Sequence, residues 1–160
     1  MAKSNRNPEN IEAIILDTDV VVNWLTQEVE TSTKRKLWET PYNIITLIES
    51  EKFKGLTCLT TLLEIRYLLR RKKGYSEHQI ENSINEITSI LEVVIPDEIG
   101  LLEANKLQAQ NKLDPFDAIL LGLAITLKPT VFISRDSEFL KIASRFITAF
   151  TPEHFFQHYT

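Results

Sequence analysis

The amino-acid sequence predicts an α/β fold, a three-layer α/β/α arrangement with a mainly parallel central sheet. Two observations point to it. Short apolar runs of strand length alternate with stretches of helical periodicity along the whole chain, the pattern of strand–helix–strand units. The 160 residues suit one domain, and neither an internal repeat nor a long linker divides them. A hydrophobic fraction of 43% with 25% charged residues is enough for a core and wrong for a disordered chain.

Residues 1–10 are polar and read as a flexible lead-in, so the predicted domain runs over 11–160. Ile11 to Leu16 is apolar enough for a buried strand and stops at Asp17-Thr18-Asp19, after which Val20 to Glu28 suits a short helix. The basic stretch Thr31 to Thr40 reads as a loop or short helix. Pro41 then opens a helix, Tyr42 to Phe53, which Gly55 is expected to close. Leu56 to Leu59 reads as a strand, and Thr60 or Thr61 as the cap of a helix running to Lys73 and ended by Gly74. Ser76 caps the next helix, whose Ile80, Ile84, Ile87, Ile90 and Leu91 recur at helical spacing. Val93 to Ile95 is a strand stopped by Pro96, Glu98 to Gln110 a helix, and Asp114-Pro115 the start of another ending near Lys128. Thr130 to Ile133 is a strand, Ser137 to Ser144 a helix and Phe146 to Phe150 a last strand. The Phe-rich end beyond it is expected to cover the sheet edge.

The composition removes several function classes. The four glycines (Gly55, Gly74, Gly100, Gly122) are too scattered for a dinucleotide fingerprint, a Walker A loop or a nucleophile elbow. Cys58 is alone, so it supplies neither an internal disulfide nor a cysteine zinc site. No apolar stretch is long enough to span a membrane and the N-terminus lacks a signal-peptide core, so a cytoplasmic location is expected. With 22 acids against 18 bases the formal charge is −4, which argues against coating nucleic acid by bulk charge but leaves a local site open.

In a parallel sheet, ligands bind beyond the carboxyl ends of the strands. Asp17 follows the first strand, Asp136 follows Val131-Phe132-Ile133 by two residues, Glu64 lies early in the helix after Leu56–Leu59, and Asp114 and Asp117 open a later helix. Four segments thus bring a carboxylate to one edge. Two such charges ~4 Å apart repel by ~4 kcal/mol at an effective dielectric near 20. A divalent cation relieves this, and an all-oxygen site suits magnesium or manganese. Each acid also has a plainer role: Asp17, Asp114 and Asp136 are placed to cap helices, and Glu64 alone could be a solvated helix residue.

Ile14-Ile15-Leu16-Asp17-Thr18, Thr60-Thr61-Leu62-Leu63-Glu64-Ile65, Asp117-Ala118-Ile119-Leu120 and Phe132-Ile133-Ser134-Arg135-Asp136 resemble, in order and in element, the four acidic blocks of the PIN-domain nucleases. The likeness runs from about Ile11 to Phe156, and the nearest subgroup is the VapC-type toxin endoribonucleases. The resemblance implies a PIN-like fold and a metal-dependent ribonuclease using one or two Mg2+ or Mn2+ ions. Its acidic set would be Asp17, Glu64, Asp117 and Asp136. Asp17 and Asp117 are assigned as the inner metal ligands, with Glu64 and Asp136 acting through water. Asp114, Ser134 and Thr18 match accessory positions. Asp19 stands where the family has a small polar residue, so it is either an outer acid or exposed, and the stretch Thr26 to Lys54 is long for such a toxin.

An RNA substrate also needs cations. Arg66, Arg70, Arg71, Lys72 and Lys73 follow Glu64 within nine residues. Arg71 lies two helical turns along the Glu64 face with Tyr67 between, so Arg71 could hold a phosphate and Tyr67 could stack on a base. Lys34-Arg35-Lys36 and Arg135 are further candidates. A helix C-terminus satisfying its dipole is the plainer account of Lys72 and Lys73. On the toxin reading, a small antitoxin covers the acidic pocket and the chain forms a homodimer, with Val20–Trp24 and Tyr42–Ile48 available for contacts or for the core. The alternatives are a stand-alone RNA-processing nuclease and a haloacid-dehalogenase-type phosphatase using Asp17 as nucleophile and Asp19 as acid/base. His154 and His158, four apart, invite a zinc reading that lacks a base between them. His78 is expected in solvent. Setting the five pocket acids aside leaves 17 acids against 18 bases, so the excess negative charge belongs to the pocket.

Overall fold

A computed structural model describes residues 11–127 and 130–160. The expected lead-in, 1–10, lies outside the described residues, as does the expected helix end near Lys128. Five parallel strands form one sheet in the order β3-β2-β1-β4-β5: β1 (Ala13–Leu16), β2 (Lys54–Cys58), β3 (Glu92–Val94), β4 (Thr130–Ile133) and β5 (Thr148–Phe150). From β1 the chain winds first toward β3, then returns to β4 and β5 on the other side. The direction of winding reverses between β1 and β4, the position in an open parallel sheet beyond whose carboxyl ends ligands bind.

The helices cover both faces, because strands buried on both sides need an apolar layer above and below. On one face Ile14, Leu16, Val131 and Ile133 pack against α1 (Thr18–Thr26), α2 (Glu39–Glu49), α3 (Leu59–Arg71), α4 (Glu77–Ile90) and α8 (Pro152–Tyr159). On the other, Ala13, Ile15, Cys58 and Phe132 meet α5 (Glu98–Gln110), α6 (Pro115–Thr126) and α7 (Ser137–Ala143). The α5–α6 crossing is close: a Cβ at Gly122 would stand 2.8 Å from the Gly100 carbonyl oxygen.

Several boundaries follow the local chemistry. Ser76 accepts from the Gln79 N–H while Gln79 reaches back to the Ser76 N–H, a capping box. Asp97 caps α5, and Gly74 takes φ +69° after α3. Three expectations need correction. Gly55 does not close a helix; it lies inside β2 opposite Ile14, where a side chain would collide with Leu91 and Ile48. The helix around Pro41 begins at Glu39, which leaves Pro41 in its first turn. Neither Thr60 nor Thr61 caps α3: Cys58 holds the cap position, and the Thr60 hydroxyl turns to its sulfur at 3.1 Å. Of the 31–40 stretch, residues 31–38 are turn and loop, with Lys36 in an antiparallel bridge to Val29, and Glu39 and Thr40 already belong to α2. The aliphatic residues of Val20–Trp24 and Tyr42–Ile48 mostly enter the core, while Tyr42 itself is exposed, as are Leu59, Leu63, Tyr67, Ile95, Ile99 and Leu102 among others. The Phe-rich end forms α8, capped by Thr151, with Phe155 wholly buried against Phe53 and Tyr159. None of the helices is long and apolar enough to cross a membrane among the described residues.

Candidate active site

Asp17 leaves the end of β1 with its N–H donating to the Ile133 carbonyl at 2.9 Å, which ties it to the end of β4. Its side chain is buried and held on both oxygens. The Thr18 N–H donates to Oδ1 at 2.7 Å and the Ser134 hydroxyl to Oδ2 at 2.7 Å. Ser134 is fully buried, and its Oγ also accepts the Asp136 N–H at 3.0 Å. One hydroxyl therefore links two of the acids. Asp136 caps α7 through Oδ1, and Asp114 caps α6 by accepting the Asp117 N–H at 2.9 Å. The capping roles of Asp17, Asp114 and Asp136 are real. They engage the acids at helix N-termini, where the dipole favours negative charge.

The electrostatics show how the remaining members stand to one another. Burial raises the Asp17 carboxyl to about 6, the Ser134 and Thr18 donors hold it down in part, and Asp136 and Asp114 push it up. Asp117 rises to about 8, first through burial, then through the charges of Asp17 and Asp114, an Asp114 hydrogen bond and Glu64. Half-buried Glu64 is also raised by burial and by Asp17; the Thr18 hydroxyl offsets part, Asp114 adds, and Lys72 offsets. Asp17, Glu64, Asp114, Asp117 and Asp136 thus form one interacting set at the carboxyl edge of the sheet. Among the described residues no Lys or Arg makes a salt bridge to any of them.

Nor do three such side chains converge closely enough, as they stand, to share an ion among the described residues. The donor set itself fits a hard divalent cation: it is all oxygen, it forms no salt bridge among the described residues, and its members raise each other's proton affinity. Asp17 and Asp117, with Glu64 and Asp136 beside them, are the residues that would hold such an ion.

The cation candidates divide. Arg66 pairs with Glu81 at 2.7 Å and Arg70 with Glu77 at 2.6 Å, which turns both toward α4. Arg71 is exposed and makes no ion pair among the described residues, and Tyr67 is 59% exposed. Lys72, treated above as part of a helix terminus, is the cation of the run whose charge reaches Glu64. Arg135 requires correction: its guanidinium turns inward, 15% exposed, onto Glu153, Asn23 and the Leu37 carbonyl, so it is no free phosphate donor. Asp19 is not exposed. Its Oδ2 accepts the Arg135 N–H at 3.0 Å, its Oδ1 is buried without a hydrogen bond, and burial beside Asp17 raises it to about 7. The pairing that fixes Asp19 and Arg135 spans more than a hundred residues, and no local signal announces it. His154 and His158 are exposed, and the His158 Nδ1 faces the His154 carbonyl rather than a metal set. His78 is exposed, as expected.

A family model for the PIN domain matches residues 14–145. No curated protein matches the chain in sequence. Among solved structures, the chain resembles a DNA-bound VapBC from Salmonella typhimurium at 18% identity and a TM-score of 0.67, over 89% of this chain and 99% of that one. It resembles a toxin–antitoxin complex from Klebsiella pneumoniae at 17% identity and 0.62, over 87% and 97%. PAE2754 from Pyrobaculum aerophilum is similar at 14% identity and 0.64, over 93% and 95%. At such identities the likeness is one of fold.

Proposed function

The chain belongs to the PIN domain family of nucleases, and from that premise we propose that it is a Mg2+- or Mn2+-dependent endoribonuclease acting as the toxin of a toxin–antitoxin pair. The observation that carries this reading is the interacting acid set of buried Asp17 with partly buried Glu64 and Asp117, none of them in a salt bridge among the described residues, at the carboxyl edge of the sheet. A divalent ion, when bound, would supply a water of lowered pKa and a positive charge for the phosphate and the leaving oxygen. The residues do the rest. Asp17 and Asp117 would fix the ion's place from rigid element ends, and Glu64 and Asp136 would bind it through water or orient the attacking hydroxide. Tyr67 and Arg71 lie on the Glu64 side of α3, exposed and suited to a base and a phosphate.

The toxin reading draws on the fold likeness to toxin–antitoxin complexes and on an apolar surface at the sheet edge. Ile95 and Ile99, 70% and 66% exposed, follow β3, and Leu59 opens α3 one residue past the Cys58–Val94 pairing. This surface is where we place a small antitoxin or a second copy of the chain; cytoplasmic action follows from the same reading. The phosphatase alternative is dropped, since Asp19 is locked against the Arg135 backbone and the family model runs through both aspartates. The test is incubation of the purified chain with RNA and with DNA of the same sequence in Mg2+ and Mn2+, beside Asp117→Asn. RNA-selective cleavage lost in the variant is the expected result; equal cutting by the variant would refute the assignment. If expression of the chain alone does not slow growth, the stand-alone processing nuclease replaces the toxin.

A further inference from the structure

Arg135 stands between Ser134 and Asp136, the two residues that link Asp17 to α7, yet its side chain leaves the acid edge. Nη1 and Nη2 grip Glu153 at 3.0 and 2.8 Å, Nε donates to Asn23 Oδ1 at 2.7 Å, and Nη2 also donates to the Leu37 carbonyl at 2.8 Å. Its backbone N–H donates to Asp19. A fork–fork pair of this kind is directional and, at 15% exposure, little screened by water. Glu153 is itself well seated: it lies in the first turn of α8, whose Phe155 is buried in the core, and Arg35 reaches it at 2.9 Å. Three segments distant in sequence, α1, the 35–37 turn and α8, therefore converge on the loop that carries Ser134 and Asp136.

We propose that Arg135 is a positioning residue, and that α8, through Glu153, sets the loop on which the Asp17–Ser134–Asp136 connection depends. The inference rests on the nuclease reading for its catalytic consequence, though not for the loop's order. A shift of about 1 Å in such a supporting loop is enough for a ~10²-fold loss in rate, because the reacting groups must be held in attack geometry. Supporting residues around metal ligands carry effects of about 10–100-fold in metal affinity.

The experiment uses the full chain with Arg135→Lys, Glu153→Gln and Glu153→Ala. Three quantities are read: kcat and KM on an RNA substrate, Mn2+ affinity by electron paramagnetic resonance, and amide exchange at Arg135 and Asp136. The expected result for Glu153→Ala is a kcat lower by roughly 10–100-fold, KM within about twofold of wild type, Mn2+ binding weaker by about tenfold, and faster exchange at both amides. Glu153→Gln, which keeps a hydrogen-bond acceptor, recovers part of each loss, and Arg135→Lys falls between. If Arg135 were a phosphate contact, Arg135→Lys would raise KM and spare kcat, and Glu153→Ala would spare both; that outcome overturns the proposal. So does lower stability with kcat, Mn2+ affinity and amide exchange all at wild-type values. Should the wild type cleave no RNA, the nuclease reading fails by itself, and unchanged exchange at Asp136 in Glu153→Ala still overturns the positioning role.

Discussion

Replacing Ser134 by Ala removes one hydroxyl and almost no volume, so its effect isolates the link between Asp17 and Asp136. Ser134 is fully buried; it donates to Asp17 Oδ2 at 2.7 Å and accepts from the Asp136 N–H at 3.0 Å. A hydrogen bond to a charged group contributes about 1.5–3 kcal/mol and a neutral one about 1 kcal/mol. The loss is therefore about 3 kcal/mol when Asp17 is ionised, a midpoint shift of roughly 6–12 °C for a chain of this size. The effect has a pH signature. The hydroxyl lowers an Asp17 carboxyl that sits near 6, so it favours the ionised form and is worth most above that pH. Denaturant unfolding in EDTA at pH 5 and pH 8 measures both numbers. A loss at pH 8 of about 3 kcal/mol, clearly larger than at pH 5, is expected; a loss under 1 kcal/mol, or one independent of pH, would refute the link.

Three more outcomes follow from the same geometry. Asp17, Asp19 and Asp117 have folded-state values of about 6, 7 and 8, raised from 3.8. A raised acid contributes stability below its unfolded value and loses it as pH climbs through the folded one, so the metal-free protein should weaken from pH 4 to pH 8, and added Mg2+ should stabilise it most at pH 8; thermal melts that rise with pH in EDTA would contradict this. Asp19→Asn keeps an acceptor for the Arg135 N–H and removes a buried charge beside Asp17, so it should raise metal-free stability at pH 8, leave it nearly unchanged at pH 4 and reduce cleavage only modestly; a variant less stable at pH 8 than wild type refutes that placement. Gly122→Ala forces a Cβ to 2.8 Å from the Gly100 carbonyl oxygen and 3.1 Å from the Ala104 nitrogen, both backbone atoms, and should cost about 1–3 kcal/mol in urea unfolding, against a gain if the helices simply part.

Legibility in the sequence tracked the range of the interactions. Elements bounded by local chemistry could be read directly: Pro96 before α5, Asp114-Pro115 before α6 and Ser76 before α4 all act within a few residues, and the structure adds Asp97 and Gln79 to two of these boundaries. The parallel order followed from alternation alone. Gly55 was misread because a lone glycine after a helical run looks like a terminator, whereas its reason is the crowding of Leu91 and Ile48, which only the folded sheet brings together. The acids could be placed at one edge because each follows a strand or opens a helix. Arg135 could not be understood that way. Its neighbours in sequence are acids and hydroxyls of the site, but its partners Asn23, Leu37 and Glu153 are 112, 98 and 18 residues away. Asp19 was ambiguous for the same reason. The basic run after Glu64 split by helical phase, with Arg66 and Arg70 on the α4 side and Arg71 off it, and only the acids of α4 reveal which side is occupied.

The central claim is that the carboxylates around Asp17 form a metal-dependent RNA-cleaving site. The most direct measurement is the rate of cleavage of a panel of structured RNAs in Mg2+, Mn2+ and EDTA, with wild type beside Asp17→Asn. Cleavage with either metal, none in EDTA, and a loss of at least ~10²-fold in the variant are the expected results. Cleavage that persists in EDTA and survives the loss of the Asp17 charge would contradict it.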